Sequence, residues 1–282
     1  MARGLAYIKI LRVQNAAMAA GAVFLGAWIA ESVHTVFQTA LLALAAILAT
    51  GFGNVINDIL DLETDRISHP DRPLPRGLIS VTAAGWYAGL LVAGALAASW
   101  SVAPRYCFAT FFPLMLLSLY AFFLKKTPLA GNILVSLLVA YTLLFGAIEA
   151  PFRLRLIIPA LLAMLLNFTR EIVKDLQDET GDRAAGMTTT ASLPRRTLLA
   201  ILYGCSSVYL PLLFIPSLTG VCTLVYAATV GVLVIPLHMM RLMLFFRYRL
   251  VSRLGKASLS VKLELLSGLA ALTLDRLFRS IS

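Results

Sequence analysis

Nine apolar runs follow one another along the chain, near residues 13–30, 37–57, 80–100, 106–124, 129–149, 154–174, 197–215, 219–240 and 259–277. Each is close to the about 20 residues that cross a bilayer as a helix. Spanning segments must satisfy their own backbone, which leaves helix bundles or closed barrels. These runs are continuously apolar rather than alternating, so the pattern predicts helices. No linker or low-complexity segment interrupts it. The expectation is an all-α, polytopic membrane bundle of about nine transmembrane helices, forming a single domain over residues 1–282.

Composition agrees, with 60% hydrophobic and 13% charged residues, about half the charge of an ordinary soluble domain. The net charge of +10 raises the possibility of nucleic acid, but its placement argues against it. Of 24 Lys and Arg, 19 fall on the side of the N-terminus and of the loops after the second, fourth, sixth and eighth runs. Arg105, Arg153, Arg155, Arg276 and Arg279 make up the other side. Cytoplasmic loops carry the basic excess, so the N-terminus and these loops are placed in the cytoplasm and the C-terminus opposite. The same rule accounts for FFRYRLVSRLGK (Phe245–Lys256) without a polyanion, and no nucleic-acid partner is expected. The opening MARGLAYIK and the apolar run after it look like a signal peptide. In a chain with eight further spans, that segment is expected to stay as the first helix. Cys107, Cys205 and Cys222 are isolated and read as buried structural thiols. His34, His69 and His238 show no paired spacing and read as ordinary loop or core histidines.

The acids change the picture. Ten of fourteen lie in two short windows. NDILDLETDRISHPDRPLPRG (Asn57–Gly77) holds Asp58, Asp61, Glu63, Asp65 and Asp71. REIVKDLQDETGDR (Arg170–Arg183) holds Glu171, Asp175, Asp178, Glu179 and Asp182. Asp58, Asp61, Asp65 and Arg66 recur in the same spacing as Asp175, Asp178, Asp182 and Arg183. Two helix ends, near 54–77 and 170–183, therefore read as an internal pseudo-repeat. On a helix, positions i, i+3 and i+7 fall within roughly a 60° arc. Glu171, Asp175, Asp178 and Asp182 form a similar stripe, while Glu63 points off the first stripe toward the surface. Like charges so arranged repel, and ionised groups near lipid cost several kcal/mol more. A bridging cation removes that cost. Hard oxygen ligands select Mg²⁺, Ca²⁺ or Mn²⁺, and Mg²⁺ is usually shared with substrate phosphates.

The neighbours fit a phosphorylated ligand. Arg66, Arg72 and Arg76 follow the first stripe, Arg170, Lys174 and Arg183 flank the second, and Lys125 and Lys126 end the fourth span on the same face. Such cations stabilise a departing diphosphate. Asn57 and Asn54 lie one and two turns from Asp61, able to ligate metal or hold a carboxylate. Arg12 and Asn15 end the first span, with an interface anchor and a helix cap as their plainer uses. The prolines of SHPDRPLPRG stop the helix and suit an ordered cover over the site.

NDxxDxxxD followed by RPLPxG, the second DxxxD-type string REIVKDLQDETGD, and FFLKKTPLAGN between them resemble the UbiA-type intramembrane prenyltransferases. The likeness spans nearly the whole chain. It implies nine helices around a central cavity, Mg²⁺ as cofactor, an isoprenyl diphosphate donor and a hydrophobic acceptor. Carried over, Asp58, Asp61, Asp65, Asp175, Asp178 and Asp182 become catalytic and metal residues, Asn57 joins them at the metal and diphosphate as a substrate contact, and Asn54, Arg72 and Lys125 become helpers. Asn15, Lys126, Arg170 and Lys174, read from their positions, are further candidate substrate contacts. The favoured acceptor is geranylgeranylglyceryl phosphate, with an aromatic quinone precursor or a chlorophyllide-like molecule as alternatives. A polytopic ion-coupled transporter is the rival of a different class. Transport predicts polar residues spread through the membrane's depth, whereas these crowd at one face.

Overall fold

The structure is a computed structural model and describes residues 2–184, 186–246 and 251–281. Its helices are α1 (Ala2–Ile10), α2 (Val13–Ile29), α3 (Val36–Leu60), α4 (Leu62–Ser68), α5 (Val81–Trp100), α6 (Pro104–Phe122), α7 (Ala130–Phe145) and α8 (Ile157–Ala184). After them come α9 (Arg195–Leu212), α10 (Ile215–Leu218), α11 (Leu224–Thr229), α12 (Ile235–Phe246) and α13 (Val251–Ile281). A π-turn over Val230–Val234 joins α11 to α12. No strand occurs among the described residues.

Seven helices are long and apolar enough to cross a membrane, and α1 with α2, bent by 55°, makes an eighth. The 16-residue apolar α7 occupies the place of the fifth expected span. The expectation of about nine is met approximately. In the basic connection after the eighth span, Arg247 and Arg249 lie outside the described residues. Of the cysteines, Cys222 is buried, but Cys107 and Cys205 are only partly so.

Local chemistry places the helix ends. Thr35 and Gln38 form a reciprocal capping box at the start of α3, Ser80 caps α5 through Ala83 N–H, and α6 opens on Pro104. In the N-terminal half, α3 packs along α5 through Val55, Ala88, Leu91 and Ala95, with Ile10 of α1 beneath them. In the other half, α2, α7, α8, α9, α11 and α13 meet around Leu143, Leu166, Tyr209 and Val261. Between the halves lies a cavity, apolar along most of its wall and polar at one end.

Candidate active site

The first stripe is not on one continuous helix. α3 ends at Leu60, Asp61 stands in the break at φ −89° and ψ 5°, and α4 begins at Leu62. Backbone bonds from Asp61 N to Asn57 O and from Asp65 N to Asp61 O carry a helix-like turn through the break. The three carboxylates therefore remain near one another, and all are buried, with Asp58 and Asp65 each 2% exposed.

Each acid of this stripe has a cationic partner. Asp58 accepts from Arg12 at 2.5 Å, and Arg12 also reaches Asn54 Oδ1 at 3.4 Å. Arg12 sits at φ 53° in the bend between α1 and α2, a conformation uncommon for a residue with a Cβ. The bend thus directs a guanidinium at the stripe, a larger role than an interface anchor. Asp61 pairs with Lys125. Asp65 accepts from Arg72 at 2.5 Å on both oxygens, and Arg72 is 3.7 Å from Asp58. Burial pushes the Asp65 carboxyl above the usual aspartate range, and Arg72 opposes that shift. Burial also works against charge on Arg72, yet Asp65, Asp58 and Asp178 together hold its pKa above the ordinary arginine value.

The second stripe lies on α8 without a break. Asp175 accepts from Asn132 Nδ2 at 2.9 Å, and Thr190 donates to Asn132 Oδ1 at 3.0 Å. Asp178 is 2.8 Å from His69 Nε2. Asp182 is buried and faces Lys125. Glu171, also buried, is shared by Arg170 at 3.0 Å and Lys174 at 3.2 Å.

The stripes face each other. His69, from the loop after the first, bonds to Asp178 of the second. Arg72 feels Asp58 and Asp65 on one side and Asp178 on the other. Lys125 pairs with Asp61 and faces Asp182. Tyr120 lies in the field of Glu171, Asp175 and Asp61. Backbone geometry permits this approach at Gly181, where a Cβ would collide with Ser68 Oγ and crowd Thr64. The proline-rich segment is an ordered cover, with Arg72 and His69 reaching into the stripes and Lys9 bonded to Asp71 O at 3.1 Å.

Asn15, Asn54, Asn57, Arg170, Glu171 and Lys174 line the polar end of the cavity. Glu63 is exposed with Arg66, and Glu179 with Arg183. Lys126 is exposed, with no ion pair or hydrogen bond among the described residues. The adjacent Lys125 is the one turned inward. His69 is a correction, being a bridge between stripes rather than an ordinary loop histidine. Periodicity could not find it, because its partner is 109 residues away. Asn132 and Thr190 were missed for the same reason.

The donor set suits a hard divalent ion such as Mg²⁺. Beside Asp58 and Asp61, the Asn57 Oδ1 carbonyl oxygen is buried without a partner, a costly state for a polar atom unless something binds it. Among the described residues no three carboxylate, imidazole or thiol groups converge as a ready-made cluster. This agrees with Mg²⁺ sites that take one or two protein carboxylates and complete their shell with water and phosphate.

Residues 19–260 match the UbiA prenyltransferase family. A digeranylgeranylglyceryl phosphate synthase of Methanopyrus kandleri is 41% identical over 186 residues, covering 65% of this chain and 68% of that protein. The enzyme of the same name from Halobacterium salinarum is 40% identical over 192 residues, 67% of this chain and 69% of its own. A solved digeranylgeranylglyceryl phosphate synthase shares the fold at TM-score 0.77 and 24% identity, covering 99% of this chain and all of that one. A UbiA homologue from Archaeoglobus fulgidus, solved with GPP and Mg²⁺, shares it at TM-score 0.67 and 18% identity, covering 95% and 99%. A match over most of the length, on a helical membrane fold with two facing aspartate stripes, has one reading: the chain belongs to the UbiA prenyltransferase family.

Proposed function

We propose that this protein is a single-domain, Mg²⁺-dependent intramembrane prenyltransferase that moves a geranylgeranyl group from its diphosphate to geranylgeranylglyceryl phosphate. The observation that carries the reading is the facing pair of stripes, tied by His69, Arg72 and Lys125 at the polar end of an apolar cavity. The acceptor follows the relatives at about 40% identity named for digeranylgeranylglyceryl phosphate synthesis. The basic excess on the stripe side supports a cytoplasmic site.

Asn57, Asp58, Asp61 and Asp65, with Asp175, Asp178 and Asp182, would hold Mg²⁺. When bound, the metal supplies charge neutralisation for the diphosphate. Arg72 and Lys125 lie between the stripes, where negative charge grows as the donor's C1–O bond breaks and the electron pair leaves with diphosphate. The apolar wall of the cavity accommodates the isoprenyl chain and keeps water from the allylic cation. The acceptor's glycerol oxygen then bonds to C1 as its hydroxyl proton is released, giving an ether.

The test is product mass spectrometry and diphosphate release with purified protein, geranylgeranyl diphosphate, Mg²⁺ and a panel of acceptors. Digeranylgeranylglyceryl phosphate is the expected product. Transfer only to an aromatic acceptor would replace the substrate assignment. Failure to release diphosphate with any acceptor would favour a transporter instead.

A further inference from the structure

Away from the stripes, the deeper polar wall of the cavity holds positive charge that the carboxylates around it do not match. Lys262, half-buried on α13, lines the cavity. α13 packs against α8 and α2, and Lys262 faces Arg170 of α8 and Arg12 at the start of α2, both of like charge. It has no ion pair or hydrogen bond among the described residues. Glu264, also on α13 and lining the cavity, is engaged by His238 and Arg241. Arg12 pairs with Asp58, Lys174 pairs with Glu171 and faces Asp175 and Asp178 as well, and Arg170 has Glu171 alone as its ion-pair partner among the described residues. Arg170 also keeps a buried Nε–H without a partner.

An uncompensated cation inside a membrane bundle is expensive and marks a functional position by default. Unlike Arg72 and Lys125, Lys262 pairs with no stripe aspartate. Arg170 lies eight residues deeper on α8 than Asp178, about 12 Å along the axis. That leaves room between the two levels for reacting atoms about 3 Å apart, with one phosphate group above them and another below.

We propose that Lys262 and Arg170 form a second anion site that binds the phosphate monoester of the lipid acceptor. This rests on the acceptor named above. The site separates the acceptor's phosphate from the metal and the donor's diphosphate, and so selects a phosphorylated glycerol lipid over a neutral one.

The decisive variant is Lys262→Met, with Lys262→Arg as the charge-retaining rescue. In steady-state transfer, Lys262→Met is expected to raise the acceptor KM by at least about tenfold, the loss of a charge-assisted contact. Donor KM and Mg²⁺ requirement should stay within twofold, and Lys262→Arg should recover most of the acceptor affinity. Removal of an unpaired buried charge should leave the Tm in detergent unchanged or raised. A second measurement needs no turnover: binding of a single-chain alkylglycerol phosphate and of the alkylglycerol lacking phosphate, with inorganic phosphate and Mg²⁺-pyrophosphate as further ligands. Wild type should prefer the phosphorylated lipid, and both Lys262→Met and Arg170→Met should lose that preference while pyrophosphate binding persists. Equal wild-type binding of the two lipids, or a preference retained in Lys262→Met, would overturn the site. A parallel fall in pyrophosphate affinity would assign these cations to the donor. Binding of inorganic phosphate as tight as that of the lipid would show a free-anion site instead. A wild type that binds the phosphorylated lipid selectively but makes no product from geranylgeranylglyceryl phosphate would refute the acceptor assignment and leave the anion site standing.

Discussion

The two aspartate stripes share one spacing and differ in almost everything else. The first crosses a break at Asp61 between α3 and α4, whereas the second runs on uninterrupted α8. Partners of the first are full cations, namely Arg12, Lys125 and Arg72. Those of the second include the neutral amide of Asn132 and the imidazole of His69. Paired charges in a dry site are costly to separate. Under the proposed function the difference predicts separate work: the first stripe would present ammonium and guanidinium groups to an incoming diphosphate, and the second would keep carboxylates less committed and readier for metal.

The sharpest way to break that division is to neutralise one acid from each side without changing its shape. Asp61→Asn and Asp178→Asn are each expected to lower kcat/KM by at least about 10²-fold, as when one charge-stabilising group is lost from an active site. Their signatures should differ. Asp178→Asn should raise the Mg²⁺ concentration needed for half-maximal transfer, and Asp61→Asn, which frees Lys125, should act chiefly on the donor. A Mg²⁺ titration of each variant with radiolabelled geranylgeranyl diphosphate separates the cases. Full turnover by either variant would remove that residue from the site.

Next in size is the contact that holds the stripes at their spacing. A methyl group added at Gly181 meets Ser68 Oγ and Thr64, so Gly181→Ala must turn the Ser68 hydroxyl aside and ease Thr64 of α4 away from α8 by a few tenths of an ångström. Overpacking of this kind costs roughly 1–3 kcal/mol. The expected result is a lowered Tm in detergent together with weaker Mg²⁺-dependent diphosphate binding. Gly89→Ala on α5, where a Cβ meets nothing within 4 Å and which does not line the cavity, is the matched control and should change neither.

A smaller effect is expected from the imidazole that joins the two regions. His69→Ala removes the 2.8 Å bond to Asp178 and leaves the carboxylate itself in place. Partners that orient metal-binding groups contribute about 10- to 100-fold in affinity or activity. Because His69 is partly exposed at 38%, water can replace some of its bond, so the lower end is expected. An unchanged Mg²⁺ titration curve in His69→Ala would show that the cover loop does not position Asp178.

Much of this arrangement was legible in the sequence because both stripes are local patterns. The spacing of Asp175, Asp178 and Asp182 placed them on one helix face, and α8 is a continuous helix there. The same spacing at Asp58, Asp61 and Asp65 carried no sign of the break, since Asp61 keeps helix-like hydrogen bonds on both sides of it. Lys125 and Lys126 were indistinguishable as neighbours in a basic pair, and only the turn after α6 decides which faces inward. His69, Asn132 and Lys262 were illegible for another reason. Each acquires its role from residues dozens of positions away, and neither composition nor periodicity records such a pairing.

The smallest expected effect is also the strictest check on the idea that position, rather than acidity, makes these windows functional. Each stripe has a flanking acid with an arginine partner on its own helix: Glu63 with Arg66 at 2.8 Å, and Glu179 with Arg183 at 2.7 Å. Both pairs are solvent-exposed, and such pairs contribute about 0–1 kcal/mol. Neither acid is bonded to a stripe residue. Glu63→Gln and Glu179→Gln should therefore leave kcat/KM and the Mg²⁺ requirement within about twofold of wild type, the span of roughly 0.4 kcal/mol. A tenfold loss in either would mean that the acidic windows act through their summed field. The comparison of two geometrically distinct stripes would then yield to one diffuse negative surface, and the separate signatures expected for Asp61→Asn and Asp178→Asn should merge as well.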